Sequence, residues 1–349
     1  MLEIISVNDS EKWDSIVKSF KDYDVYYLSG YVKALELHGD GQPLLFYFED
    51  KNTRAINVAM KRDISENKNF VGKIEKEEFF DISTPYGYGG WLIEGEYIDE
   101  LNKEYSEYCF VNNIVSEFVR FSPYLEDMCL LENIYNIRRI GKVVNVDTSS
   151  KDIIWSNISP RTRTKINKTR RLGVEVEIGE NIENIDVFLP LYNETMDRNK
   201  ADGYYYFKKS YFKELMQALR GNFVIIKVKY NNSLVASSVI LFVNGKATYH
   251  LGGSVVENKD INPVCLSFCE FANWCSNNNI SYFLLGGGVG GKEDSLYRFK
   301  KAFNKKGDKD FYIGGKIFNQ QKYDELLDIR KKYDDGFDNS SQYIPLYRA

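Results

Sequence analysis

The chain has 349 residues, more than one hydrophobic core ordinarily organises, so two domains or one enlarged domain are expected and a peptide-sized module is excluded. With 43% hydrophobic, 15% aromatic and 28% charged residues and only seven prolines, the composition can build cores and is not that of a disordered chain. A formal net charge of −4 excludes whole-surface attraction to nucleic acid or anionic lipid, leaving local basic patches as the places where phosphates could bind.

The opening MLEIISVNDSEKW lacks a basic segment followed by an apolar one, and no later stretch reaches the roughly 18 apolar residues of a spanning helix. A soluble, unexported, cytoplasmic protein without stable membrane insertion is therefore expected. The first part then reads as helices near Glu11–Ser19 and Ser29–His38, followed by the strands PLLFYFED and RAINVAMKR at hairpin spacing. Glycines 87, 89 and 90 interrupt the aromatic run FFDISTPYGYGGWLI. A helix near Glu96–Asn112 and the strands IVSEFVRFSPY and IGKVVNVDTS follow, and the polar break from Asp147 to Lys151 marks a domain boundary.

In the second part Ser159 caps and Pro160 starts a helix that Gly173 ends, ahead of the strand VEVEI. After it come a helix at Ile185–Arg198, the aromatic loop DGYYYFKKS, a helix at Tyr211–Leu219, and the strands FVIIKVKY, LVASSVILFV and KATYHLGGS, with Asn231 and Asn232 as a hairpin turn. Asn262 and Pro263 open a long helix. The strand ISYFLLG, the loop GGGVGGKEDS, the helix SLYRFKKAF and the strand DFYIGGKIF complete the series. Both halves interleave helices with antiparallel strand pairs, which predicts an α+β fold of two similar units.

Five cysteines, three of them in one predicted helix, read as reduced core thiols. With two histidines and no CxxC pair, neither a metal site nor another cofactor is expected. Gly286, Gly288 and Gly291 satisfy GxGxxG, but the next strand ends in Gly314 and Gly315 where a dinucleotide site wants an acid. Gly286, Gly291 and Lys292 approach a Walker A loop, yet Glu293 replaces the magnesium-binding hydroxyl and would repel a triphosphate. Tight turning and close backbone approach account for these glycines without a phosphate. Gly252, Gly253 and Ser254 begin a GxSxG-like run in which Val256 displaces the second glycine, and His250 reads as a packed residue rather than a base.

Two further features stay open on the residues alone. The helix from Pro160 carries Arg161, Arg163, Lys165, Lys168, Arg170 and Arg171 with no acid between Asp152 and Glu175, so it is either an ordinary exposed basic helix or an attractor of phosphate-rich ligands. Tyr86, Tyr88 and Trp91 around PYGYGG, and Tyr204, Tyr205 and Tyr206, either wall a ligand or anchor loops to a core.

Taken in order, IIWSNISPRTRTKINKTRRLGVEVEIG, the helix ending ETMDRN, the strand YHLGGS, the helix after Asn-Pro, FLLGGGVGG and SLYRFKKAF resemble the Fem-type (FemA/FemB/FemX) aminoacyltransferases of the GNAT superfamily. The resemblance runs from about Trp155 to Phe318, with TPYGYGGW as the best anchor before that. It implies two GNAT-like domains, each a mixed, largely antiparallel sheet flanked by helices: residues 1–147, on which 319–349 pack back, and residues 148–318, which carry the transfer site. It further implies transfer of an aminoacyl or acyl group from aminoacyl-tRNA to an amine on a nucleotide- or lipid-linked cell-wall (peptidoglycan) precursor or surface-polysaccharide precursor, with no covalent enzyme intermediate; acyl-CoA-dependent acylation of an amino sugar is the alternative. A non-catalytic glycan- or RNA-binding protein is the reading from outside the enzyme classes.

By resemblance, Phe299 and Lys300 form the family's FK pair, with the lysine near the reacting carbonyl. Arg198 and Tyr249 resemble acceptor contacts to phosphate or sugar, and by looser correspondence Lys33 matches a first-domain phosphate-binding lysine and Tyr86 or Tyr88 the acceptor-lining turn. From the residues themselves, Tyr204 is a further candidate substrate contact and Arg161, Arg163, Lys165 and Lys168 are candidate donor-phosphate contacts. Nothing between Arg198 and Lys229 offers the heptads of the helical arm of longer members. Arg170, Gly173 and Glu175 only approach the RxxGx(G/A) signature for acyl-CoA.

Overall fold

Several helices begin where a side chain can accept an orphan backbone N–H. In the computed structural model, which describes residues 1–126, 128–181, 184–255 and 261–349, the side chains of Asp9, Ser150, Ser159, Asp294 and Asn319 each take that role. Gly173 enters the left-handed region (φ +78°) just past the helix that Pro160 opens. Asn231 and Asn232, both at positive φ, make the tight hairpin turn read from the sequence.

The chain runs β1 (Leu2–Ser6), α1 (Ser10–Lys18), α2 (Ser29–His38), β2 (Gln42–Glu49), β3 (Arg54–Asp63), β4 (Phe80–Ser83), β5 (Leu92–Glu94), α3 (Asp99–Val111), β6 (Ile114–Arg120), α4 (Met128–Leu131) and β7 (Asn136–Asp147). It continues with α5 (Lys151–Asn157), α6 (Pro160–Arg171), β8 (Glu175–Gly179), α7 (Ile185–Arg198), α8 (Lys209–Ala218), β9 (Phe223–Tyr230), β10 (Ser233–Val243), β11 (Lys246–Ser254), α9 (Pro263–Asn277), β12 (Tyr282–Gly286), α10 (Ser295–Lys301), β13 (Asp308–Ile317) and α11 (Gln320–Tyr333). Six of these, β1, β4, β5, α4, α5 and α11, lie where the sequence alone named no strand or helix, β4 and β5 falling inside the glycine-interrupted aromatic run. β1 is too short to show alternation and is defined by pairing with β2, while α11 buries little beyond Leu326 and Arg330.

Contacts divide the molecule into Met1–Arg139 with Tyr312–Ala349, and Ile140–Phe311. In the first unit the strands follow the order β1-β2-β3-β4-β6-β13, with β5 on β3; only β4 and β6 run parallel. Its core packs Tyr105 edge-on against both Phe46 and Trp91, which tilt against each other. The chain's end is bound into the same unit: Arg348 and Arg62 both bond the fully buried Asp81, and Tyr347 donates to it at 3.0 Å.

In the second unit the order is β7-β12-β11-β10-β9-β8, antiparallel except for β11 and β12. Successive residues of a strand face opposite sides. Gly253 lies under α7, where a Cβ would come within 2.5 Å of the Leu191 carbonyl, whereas a Cβ on Gly252 would meet the hydroxyl of Tyr249, whose ring packs on Phe268 of α9. The sheet is therefore covered by α7 on one face and α9 on the other. On the α9 face Cys265, Cys269 and Cys275 are buried free thiols. α6 docks on α9 through Thr162, Ile166 and Thr169, the i, i+4, i+7 stripe of an otherwise basic helix.

Candidate functional site

The parallel pair at the centre of the second unit separates. Lys246, Ala247 and Thr248 pair with Tyr282, Phe283 and Leu284, and there the ladder stops, although β11 continues to Ser254. Parting strands leave a crevice outside their carboxyl ends, a preferred position for ligands in sheets with parallel strands. In the first unit the corresponding parallel pairing of β4 and β6 is prolonged by Thr84 and Gly89, whose N–H groups bond the Phe118 and Arg120 carbonyls.

Lys300 stands at that end of β12. Its Nζ donates to the Gly287 carbonyl at 2.8 Å, and among the described residues no carboxylate pairs with it. The side chain is half-buried, and loss of hydration lowers its pKa to about 8 against the opposing pull of Asp294. Phe299, the residue before it, packs on Phe268 at 6.0 Å between ring centroids, and Tyr249 packs on the same ring at 5.1 Å. A β-bulge at His250, where Ile240 pairs with Tyr249 and Val239 with Leu251, resets the alternation and puts Tyr249 and Gly252 on one side. Burial raises the Tyr249 phenol to about 12, so it stays protonated.

Arg198 reaches the end of β11 from α7: its Nη2 donates to the Ser254 carbonyl at 2.8 Å and approaches Thr195 Oγ1 at 3.3 Å. Arg198 and Lys300 thus mark the carboxyl ends of the two parting strands. Tyr204 lies on a short turn capped by Asp202 and leans on Tyr205 and Phe207, the residue 38% exposed.

The basic helix divides. Its first turn is tied to the end of α10 by the Ser159 N–H bonding the Ala302 carbonyl at 2.8 Å. Arg163 lies over Trp155 at 5.9 Å; Arg170 lies over the same ring at 5.7 Å and pairs with Glu270 at 2.7 Å. Arg161 and Lys168 are exposed and Lys165 half-buried. Lys33, Tyr86 and Tyr88 belong to the first unit. Lys33 is exposed on α2, whereas the PYGYGG turn is anchored: Tyr31 donates to the Tyr86 carbonyl, Tyr27 donates to the Gly90 carbonyl at 2.8 Å, and Tyr88 packs on Tyr26.

The glycine loop after β12 is a packing device. A Cβ on Gly141 would lie 1.8 Å from the Gly291 carbonyl, and one on Gly288 would lie 2.3 Å from Asp294 Oδ1. The N–H groups of Val289, Gly291 and Lys292 turn inward to Asp294, Gly288 and Val289, so they are spent on the loop itself and do not form a phosphate cradle. Val256 lies outside the described residues. Among the described residues no cluster of three His, Cys, Asp or Glu side chains could hold a metal ion, and no helix is long and apolar enough to cross a membrane.

His250 is buried, its Nε2 2.7 Å from the Tyr211 hydroxyl, and burial lowers its pKa to about 3 from 6.5. The ring is neutral in the folded chain and charged in the unfolded one between those values. Stability should therefore be full above about pH 6.5 and fall as pH drops towards 3. Melting curves at stepped pH should show this decline in the wild type and a shallower one in His250→Gln; equal slopes would show that His250 does not contribute.

Asp294 and Phe268 are the residues of this site that sequence reasoning did not single out. Asp294 precedes SLYRF as an N-cap would and could have been found by that signal, but Phe268 is one apolar residue in an apolar helix.

Residues 157–301 match the family model of the acetyltransferase (GNAT) domain. Over 171 residues the chain is 28% identical to the UDP-N-acetylmuramoylpentapeptide-lysine N(6)-alanyltransferase of Weissella viridescens, an alignment covering 48% of this chain and 49% of that one. The matched part thus spans about half the length of this relative. The crystal structure of FemX has the same fold, with a TM-score of 0.68 at 14% identity over 93% of this chain and 99% of that one. L-PGS from Bacillus licheniformis follows with a TM-score of 0.56 at 16% identity, covering 92% and 96%. The parting parallel strands lie within the residues that match the GNAT domain, and over nearly its whole length the chain shares the fold of FemX; it is in this sense similar to the Fem-type GNAT proteins.

Proposed function

We propose that the chain is an aminoacyl- or acyltransferase that forms an amide on a cell-wall or surface-polysaccharide precursor, with aminoacyl-tRNA as donor. The observation that carries this is Lys300: a half-buried ammonium with no carboxylate partner among the described residues, at the mouth of a crevice between parting strands. The similarity to an alanyltransferase acting on a peptide-bearing sugar nucleotide supports the acceptor class. In the reaction an amine attacks the activated carbonyl. A C–N bond forms, the C–O bond to the donor breaks, the amine loses a proton and the departing oxygen gains one. No enzyme nucleophile is needed, and the task left to the protein is to orient the reactants and to stabilise the transient oxyanion.

On this reading Lys300 faces the oxyanion and Phe299 fixes its helix against Phe268. Arg198 and Tyr249 contact the acceptor, with Tyr204 as a further contact; Lys33, Tyr86 and Tyr88 are candidate substrate contacts of the first unit, taken by itself. Arg161, Lys165 and Lys168 attract donor phosphates; Arg163, held over Trp155, contributes its charge from a fixed position. Acyl-CoA acylation of an amino sugar is the second reading, favoured by the crevice of the GNAT-type unit. Supplying labelled aminoacyl-tRNA and labelled acetyl-CoA with a lysine-containing sugar-nucleotide pentapeptide decides between them. Amide label from the tRNA alone is expected, label from CoA alone selects the second reading, and binding of uncharged RNA without consumption of either donor would overturn both.

A further inference from the structure

The ammonium of Lys300 is only as well placed as the short helix beneath it. α10 has seven residues, too few to be stable by itself, so its position is set by what holds its ends. At its start Asp294 makes two bonds with one carboxylate: Oδ1 accepts the Tyr297 N–H at 2.9 Å, inside the helix, and Oδ2 accepts the Val289 N–H at 3.0 Å, in the glycine loop. The loop is shaped to admit this side chain, because any Cβ on Gly288 would collide with it. Two residues before Val289 in the same loop is Gly287, whose carbonyl receives the Lys300 Nζ. Helix, loop and lysine therefore close a ring: Asp294 joins α10 to the loop at one point and Lys300 joins them at another.

We infer that Asp294 is a positioning residue for Lys300, a clasp that holds the glycine loop against the first turn of α10 and so fixes where the ammonium points. The inference rests on the role proposed above for Lys300. The clasp also supplies a charge. The other charged groups around it are engaged elsewhere: Lys142 on β7 lies 4.0 Å from Glu293 and 3.9 Å from Asp308, and Lys301 pairs with Asp308. On α9, Glu270 is bound to Arg170. Lys292 and Arg298 are exposed cations. Asp294 is the carboxylate whose field acts on Lys300, favouring its protonated form against the effect of burial.

The test compares Asp294→Asn, Asp294→Ser and Asp294→Ala in the full chain, with two readouts. The first is the pH dependence of Lys300 acylation by acetic anhydride, followed by mass spectrometry, which reports the amine's charge without any turnover. The second is the pH profile of kcat/KM for amide formation. Asn and Ser retain a helix cap but carry no charge. In whichever of them melts as the wild type does, the labelling midpoint of Lys300 should move to lower pH by roughly one unit, a usual effect of losing an adjacent opposite charge. The basic limb of kcat/KM should move with it, and Asp294→Ala should lose more rate than Asn at every pH. An unmoved midpoint and limb in a folded cap-retaining variant would reduce Asp294 to an ordinary helix cap and overturn the inference. A shifted midpoint in a protein that forms no amide from any donor would uphold the clasp and reject the transferase reading instead.

Discussion

Replacing Lys300 by alanine should cut amide formation by orders of magnitude while the protein melts as the wild type does. The reason is electrostatic. The ammonium sits near the carboxyl end of β12 in partial burial, where its attraction for a developing oxyanion is screened less than in water, and preorganised groups of this kind contribute about 3 kcal/mol or more to transition-state stabilisation. On the proposed role the interaction is made with the oxyanion and not with the ground-state carbonyl, so the loss should fall on kcat more than on KM. Lys300→Arg keeps the charge but replaces a compact ammonium with a planar fork, so only partial activity is expected. Lys300 is charged below about pH 8, so kcat/KM should be level there and fall as pH rises through that value, in contrast to the behaviour of an ordinary lysine. Steady-state rates across that range, with melting curves as the folding control, check both statements. Unchanged turnover in a folded Lys300→Ala protein would remove the residue from the mechanism.

Asp81→Ala should be among the most destabilising single changes in the first unit. Asp81 is fully buried and is the common partner of Arg62, at 2.8 Å, and Arg348, with Tyr347 donating to it as well. Removing the carboxylate leaves two guanidiniums, one nearly buried, without their counter-charge, which costs about 3–5 kcal/mol for a buried pair broken on one side. Burial by itself would raise the Asp81 pKa, but the guanidiniums of Arg348 and Arg62 outweigh it and hold the group below the usual aspartate value. Its stabilising contribution is therefore complete above the ordinary pKa and is lost as pH falls through the lowered one. Urea unfolding at neutral pH should show the loss in Asp81→Ala, and acid titration should show a wild-type decline that Asp81→Asn lacks. A variant that unfolds at the wild-type urea concentration would mean that the buried triad contributes nothing net.

Both predictions concern residues whose importance depends on distance in the chain, and here the reading of the sequence reached its limit. Lys300 was found through the order of motifs in a resemblance; nothing in SLYRFKKAF distinguishes it from Lys301, which the fold commits to Asp308. Arg163 and Arg170 were read as members of a basic helix, and both lie over Trp155, with Arg170 also bound to a carboxylate 100 residues away. Asp81 and Arg348, 267 residues apart, carried no mutual signal.

What the sequence determined by itself was local. Ser159 and Pro160 start α6 and Gly173 stops it, the Asn231–Asn232 turn joins β9 to β10, and the alternation of apolar residues defines most strands, because capping, φ preference and side-chain period act within a few residues. Only the tertiary structure decided that β11 and β12 part after three residue pairs and that one lysine of a basic helix end stands near the opening with no carboxylate in direct contact among the described residues. Charge pairing and strand separation are set by which distant groups the folded backbone brings within a few ångströms, and no local preference encodes that choice.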